Sequence, residues 1–208
     1  MKARARKVST LTILIAFGLV MSVGGALIWA EASRPPNDAT RCHPSGATRL
    51  LALDFKEFDQ TPGEGWRESE GSFGCARETA ELIRRYRSQH ADLPIADRAG
   101  LAWHEAQHIA LDGQAQQAAQ LIKDAAIFEG EPGWSRLHKA ATFAFLRGDL
   151  EGVEEAEAAF AALPASEQGP PVHLTGAISN LDRVRGLKAC FGKTYAVAYA
   201  CTGGPIDY

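Results

Sequence analysis

The stretch LAWHEAQHIALDGQAQQAAQLIKDAAIF, from Leu101 to Phe128, returns in pattern as LHKAATFAFLRGDLEGVEEAEAAFAAL, from Leu137 to Leu163. Each copy reads as two helices joined at a glycine, and Gly113 and Gly148 lie 35 residues apart. That is the period of a helix-turn-helix array. Registered on those glycines, small and apolar residues coincide: Ala106 with Ala141, Leu111 with Leu146, Ala115 with Leu150, Ala118 with Val153, Leu121 with Ala156 and Ala125 with Phe160. Steps of three and four give each second helix one apolar face, which a single pair cannot bury alone. No strand-rich region interrupts the pattern, so the fold class is all-α.

A degenerate echo precedes the two copies. Gly74 opens GCARETAELIRRY, in which Ala76, Leu82 and Tyr86 take equivalent offsets. The region before it is broken by Pro62, Gly63 and Gly65 and reads as a capping half-repeat. The small residue in each first helix (Ala106, Ala141) and the turn glycine resemble a tetratricopeptide repeat. Ile109 and Ala144 replace the aromatic usual late in that helix, and Val153 replaces an alanine in the second helix of the second copy. The resemblance implies a short helix-turn-helix solenoid whose first helices line a groove. It implies binding of a peptide or partner helix through Trp103, Gln107, His138 and Thr142.

The amino terminus carries a targeting signal. Lys2, Arg4, Arg6 and Lys7 precede an uncharged, mostly apolar run from Leu11 to Ala30. Twenty residues at about 1.5 Å each span a bilayer core of about 30 Å. The basic cluster keeps that end cytoplasmic and sends the rest across. Residues 1–32 are therefore a transmembrane signal anchor, or a signal peptide cleaved after the Ala30-Glu31-Ala32 pattern. Residues 33–46 form a linker and 47–208 the tetratricopeptide-like α-helical domain. The domain is placed in the bacterial periplasm, tethered to the inner membrane or released into the periplasm after cleavage.

Four cysteines suit an oxidising compartment. Three connectivities are open, and nearest pairing gives Cys42–Cys75 and Cys190–Cys201. A formal net charge of −3 offers no footprint for nucleic acid. Early in the domain, FDQTPGEGWR has Asp59 placed to cap, two glycines, and Trp66 set to pin a loop by burial. Arg77, Arg84, Arg85 and Arg87 flank the next apolar stripe as a solvated face. Near the end, Ser179 or Asn180 is placed to cap the helix of SNLDRVRGLKACF, and KTYAVAYAC reads as a last helical turn or two. This order of features, FDQTPGEGWR early and LKACFGKTYAVAYAC late, resembles small exported bacterial proteins of unassigned function and implies no activity.

One motif could carry chemistry. His104-Glu105-Ala106-Gln107-His108 is H-E-x-x-H, in which two histidines on one helical face hold Zn²⁺ and the glutamate polarises the attacking water. Leu111 and Gln114 stand where further metzincin ligands belong. Glu129 sits in a Glu-Gly-Glu-Pro-Gly turn, and no sheet is available to lay beside a substrate. With Ala106 at the centre of the buried face, the wheel puts His104 and His108 at about 160° to either side of it, outward. The motif also lies inside a repeat whose copy reads His138-Lys139-Ala140-Ala141-Thr142. The sequence thus favours a protein-interaction or scaffolding module in the envelope, without catalytic residue, metal or cofactor; a zinc metallopeptidase is the alternative.

The basic end and apolar run generate a topological expectation. Alkaline phosphatase fused after Ser45 is expected to be exported and active. An inactive fusion would reverse the orientation and remove the oxidising compartment from the cysteine argument.

Overall fold

The computed structural model describes residues 41–69, 73–125, 131–169 and 178–201, all within a compact unit from Asp38 to Tyr208. No strand forms among them. The chain runs through α1 (Ala47–Leu50), a π-helical turn (Lys56–Gln60), a 3₁₀ turn (Gly65–Ser69), α2 (Ala76–Gln89), α3 (Ile95–Leu111) and α4 (Ala115–Asp124). It continues with α5 (Gly133–Leu146), α6 (Leu150–Ala161), α7 (Asn180–Ala189) and α8 (Tyr195–Ala200). Consecutive helices pack as neighbours from α2 through α8, with further contacts of α7 on α5 and of α8 on α3.

The repeat glycines end their helices the same way. Gly113 has φ +85 and Gly148 φ +72, the left-handed region that costs glycine nothing. Behind Gly113, the Gly113 N–H donates to the Ala110 carbonyl at 3.0 Å and that of Gln114 to Ile109 at 3.1 Å. Behind Gly148, the corresponding bonds run from Gly148 to Phe145 at 3.0 Å and from Asp149 to Ala144 at 2.9 Å. These closures satisfy the orphan carbonyls of the last helical turn. Asp149 then caps α6 by accepting from the Gly152 N–H at 2.9 Å.

Two apolar clusters form. One joins Ile109, Ala118, Ala141, Phe145, Val153, Ala156 and Phe160 of the repeats to Leu181, Val184 and Leu187 of α7. The other gathers Leu50, Leu51, Phe58 and Trp66 against Leu82, Ile83 and Tyr86 of α2 and Leu101 of α3. Ser179 caps α7 in a reciprocal box with Asp182. The disulfides pair Cys42 with Cys75 and Cys190 with Cys201.

Two local features differ from the sequence reading. Asp59 caps no helix; it is fully buried inside the π-helical turn, where an extra residue per turn brings consecutive Phe58 and Asp59 inward together. The basic side chains of α2 are partly committed: Arg77 pairs with Asp112 and Arg87 with Glu105. The 1–32 segment and the linker up to residue 40 lie outside the described residues, as does Glu129. Among the described residues no helix is long and apolar enough to cross a membrane.

Ala106 and Ala141 are wholly buried, as a close helix crossing requires. Leucine at either position is expected to overpack the crossing and cost about 1–3 kcal/mol. An unmoved melting temperature would show that the repeat register is wrong.

Candidate functional site

The face of α3 that carries His104 and His108 is covered by the segment before α2. Gly65 makes this possible: its φ is +56, and a Cβ there would lie 2.0 Å from the Phe58 carbonyl oxygen. The chain therefore doubles back tightly enough for Trp66 to meet Asp59. Trp66 Nε1 donates to Asp59 Oδ1 at 2.7 Å, and His104 Nδ1 lies 2.8 Å from the same oxygen. The Gln60 amide donates to the other carboxylate oxygen. Arg67 Nε donates to the Asp59 carbonyl at 2.6 Å, and its guanidinium sits 4.2 Å from the Trp66 ring centre. Burial alone would push the Asp59 carboxyl up, but the facing His104, the Trp66 N–H and Arg67 outweigh it and hold the group at about 2.

Trp66 lies 5.2 Å from the His104 ring and 5.2 Å from that of His108. The outward orientation expected of the histidines thus meets a tryptophan rather than water. The His108 residue keeps partial exposure, yet its Nδ1 is out of solvent contact and has no hydrogen-bond partner among the described residues. Burial depresses its basicity to about 3. His43 extends the polar patch beside the Cys42–Cys75 disulfide: its Nε2 is 3.5 Å from the Thr79 hydroxyl, and its Nδ1 is 3.6 Å from Glu68. Burial lowers its basicity as well.

Glu105 is turned to other work. Its carboxylate receives Arg87 at 2.8 and 3.1 Å and is 4 % exposed. Burial raises its affinity for protons, and Arg87 opposes that. Among the described residues, no three side chains of histidine, cysteine, aspartate or glutamate come together to hold a metal ion.

The four residues expected to line a groove fall into one neighbourhood. Trp103 and Gln107 on α3 are half-buried; His138 and Thr142 on α5 are buried. Trp103 meets His138 edge-on, with centroids 5.5 Å apart. The neighbourhood is covered by the chain itself. Tyr195 of α8 is buried with its hydroxyl facing Gln107 and Thr142, and Arg183 of α7 stands near His138. Among the described residues, His138 Nε2 and Arg183 Nε are buried without a hydrogen-bond partner. Burial takes the His138 ring down to about 4 and pushes the Tyr195 phenol up.

Tyr195 and Arg183 stand outside every motif and period of the sequence, and Asp59, placed there to cap a helix, is instead a buried anion. For Asp59 the signal was present in FDQTPGEGWR, a carboxylate and a tryptophan joined by a glycine turn. Tyr195 and Arg183 have no comparable local signal. Compared with known proteins, the chain matches no family model, no curated protein and no solved structure.

The buried rings give the protein a pH signature. His108 and His138 are held at about 3 and 4 against an ordinary 6.5. Unfolding lets both bind protons, so their contribution is full above pH 6.5 and is lost progressively as pH falls toward 4 and 3. Asp59, depressed from 3.8 to about 2, adds a loss below pH 3.8. The melting temperature is expected to fall steadily from pH 7 to pH 4 and to fall less in a His108→Gln/His138→Gln chain. A flat profile in the parent chain would contradict the burial of both rings.

Proposed function

We propose that the chain is an exported, membrane-tethered helical-repeat protein that acts as a protein–protein interaction or scaffolding module in the bacterial envelope. The observation that carries this reading is the commitment of the chemical groups of H-E-x-x-H to packing. Glu105 answers Arg87, His104 answers Asp59, and Trp66 lies against both histidine rings. A catalytic zinc site needs its glutamate beside a bound water and a fixed third ligand. The paired disulfides support an oxidising compartment. The repeat of hairpins closed at Gly113 and Gly148 supports a tetratricopeptide-like array, which would take a peptide or single partner helix better than a large ligand.

The metallopeptidase reading retains one supporting feature: Asp59 holds His104 through Nδ1 and leaves Nε2 directed elsewhere, as carboxylates hold metal-binding histidines. One experiment separates the two. Full-length tagged protein, cross-linked in intact envelopes and recovered, is expected to bring down a partner in stable ratio, with capture preserved in Glu105→Gln. The purified chain is expected to carry no stoichiometric zinc. One tightly held zinc per chain, with a peptidase activity abolished by Glu105→Gln, would overturn the interaction reading.

A further inference from the structure

Arg183 carries a buried positive charge that no acid answers. It is 5 % exposed, and His138 of α5, which feels its charge, is 6 % exposed. Each keeps one buried nitrogen, Arg183 Nε and His138 Nε2, without a hydrogen-bond partner among the described residues. Another part of the guanidinium is satisfied: Nη1 donates to the Tyr199 carbonyl, and the group lies 4.5 Å from the centre of the Tyr199 ring. A carbonyl and a ring face supply partial negative charge, not an ion. Among the described residues no ion pair includes Arg183. Asp182 beside it in sequence pairs with Arg185, and Glu157 with Arg185 and Lys188.

The other charge in the neighbourhood has the same sign. Lys139 also acts on the His138 ring, and its own partner is Glu131. The Tyr195 phenol, turned toward Gln107 and Thr142, feels Arg183 as well. A guanidinium does not shed its proton, so burial leaves it charged. An ion taken out of water needs both hydrogen bonds and opposite charge. Arg183 Nε–H is a donor, and His138 Nε2 is one whenever that nitrogen carries the ring proton. A water molecule would answer the two nitrogens and leave the charge; an anion answers both.

We propose that a monovalent inorganic anion of the chemistry of chloride binds between Arg183 Nε and His138 Nε2, where it joins α7 to α5. Burial selects a single-atom ion over the carboxylate of a larger ligand. Arg183, His138, Thr142 and Tyr195 are all buried, which leaves no solvent-facing path for the rest of such a molecule. A bound anion also favours the protonated imidazole, so it opposes the burial that holds the His138 ring at about 4. The site goes beyond the interaction reading and does not depend on it.

The test titrates sodium chloride into the purified full chain in sodium gluconate, at constant ionic strength. Melting temperature is expected to rise with the logarithm of chloride concentration above half-saturation. At a hundredfold excess over half-saturation the rise is expected to be about 5–10 °C. Arg183→Met and His138→Phe are each expected to remove most of that rise. In the parent chain the His138 ring, followed by nuclear magnetic resonance, is expected to bind its proton more tightly in chloride than in gluconate. Bromide supplies a measurement that needs no variant to fold: crystals of the parent soaked in it are expected to show an anomalous peak touching both nitrogens. Equal melting temperatures in chloride and gluconate would overturn the site. So would a chloride response retained in both variants, or bromide confined to the surface as an adventitious ion only.

Discussion

The Asp59 carboxylate is the constraint on which the first half of the domain depends. An ionised carboxylate removed from water costs several kcal/mol, on the order estimated for single buried ions, unless hydrogen bonds and opposite charge answer it. Asp59 is fully buried, so each of its oxygens has to be answered from the protein. Trp66 and His104 answer one oxygen and Gln60 the other. Those contacts fix the segment from Lys56 to Ser69 across α3. With that segment in place, Phe58 stacks on Tyr86 at 3.6 Å and Tyr86 on His90 at 4.1 Å. The Tyr86 hydroxyl donates to the Leu53 carbonyl at 3.0 Å. A polar contact thus positions the second apolar cluster; exclusion of water from that cluster in turn strengthens the contact.

Much of the helical framework is legible in the sequence, because helices announce themselves by period and by their stops. Gly113 and Gly148 sit where two residues in the left-handed region are needed, and Pro94 and Pro132 immediately precede α3 and α5. Ser179 shows its capping box three residues ahead. The Asp59–Trp66–His104 contact is not legible in the same way. It requires a π-helical turn, in which Phe58 and Asp59 face inward together, and a glycine at φ +56 against a carbonyl. Neither leaves a periodic trace. The helical wheel of α3 fails for a related reason: it assumes one buried face and one wet one. α3 packs on α2, α4 and α8, and its Glu105 is buried along with Ala102, Ala106 and Ile109. A helix surrounded on several sides has no outer face to which the histidines can be assigned.

The candidate groove illustrates a second limit. Trp103 and Gln107, which the alignment of the two copies matches to His138 and Thr142, lie in the same neighbourhood as those residues. The alignment carries no information about what the chain does after the last repeat. There α7 joins the core through Leu181, Val184 and Leu187 and α8 through Tyr195 and Ala198, with the Tyr195 hydroxyl turned toward Gln107 and Thr142. The two helices of that terminal hairpin are linked covalently at Cys190 and Cys201, and both are buried in the same apolar cluster. Apolar burial is non-directional and tolerates imperfect fit; buried polar contact does not.

That asymmetry bears on how the H-E-x-x-H stretch should be read. The features that make histidine and glutamate useful to a metal also make them useful inside a small α-helical core. Histidine gives a flat ring that packs on tryptophan while one nitrogen reaches a carboxylate, as His104 does between Trp66 and Asp59. Glutamate can follow an arginine into a half-dry interface, as Glu105 does with Arg87. The Glu105 charge is already answered within the fold by Arg87, whereas His104 gives Asp59 its Nδ1 side alone. General-base catalysis would require releasing Glu105 from Arg87, and that would leave a buried carboxylate without its cation. The stability of the α2–α3 contact and any general-base chemistry at Glu105 therefore draw on the same side chain and oppose each other.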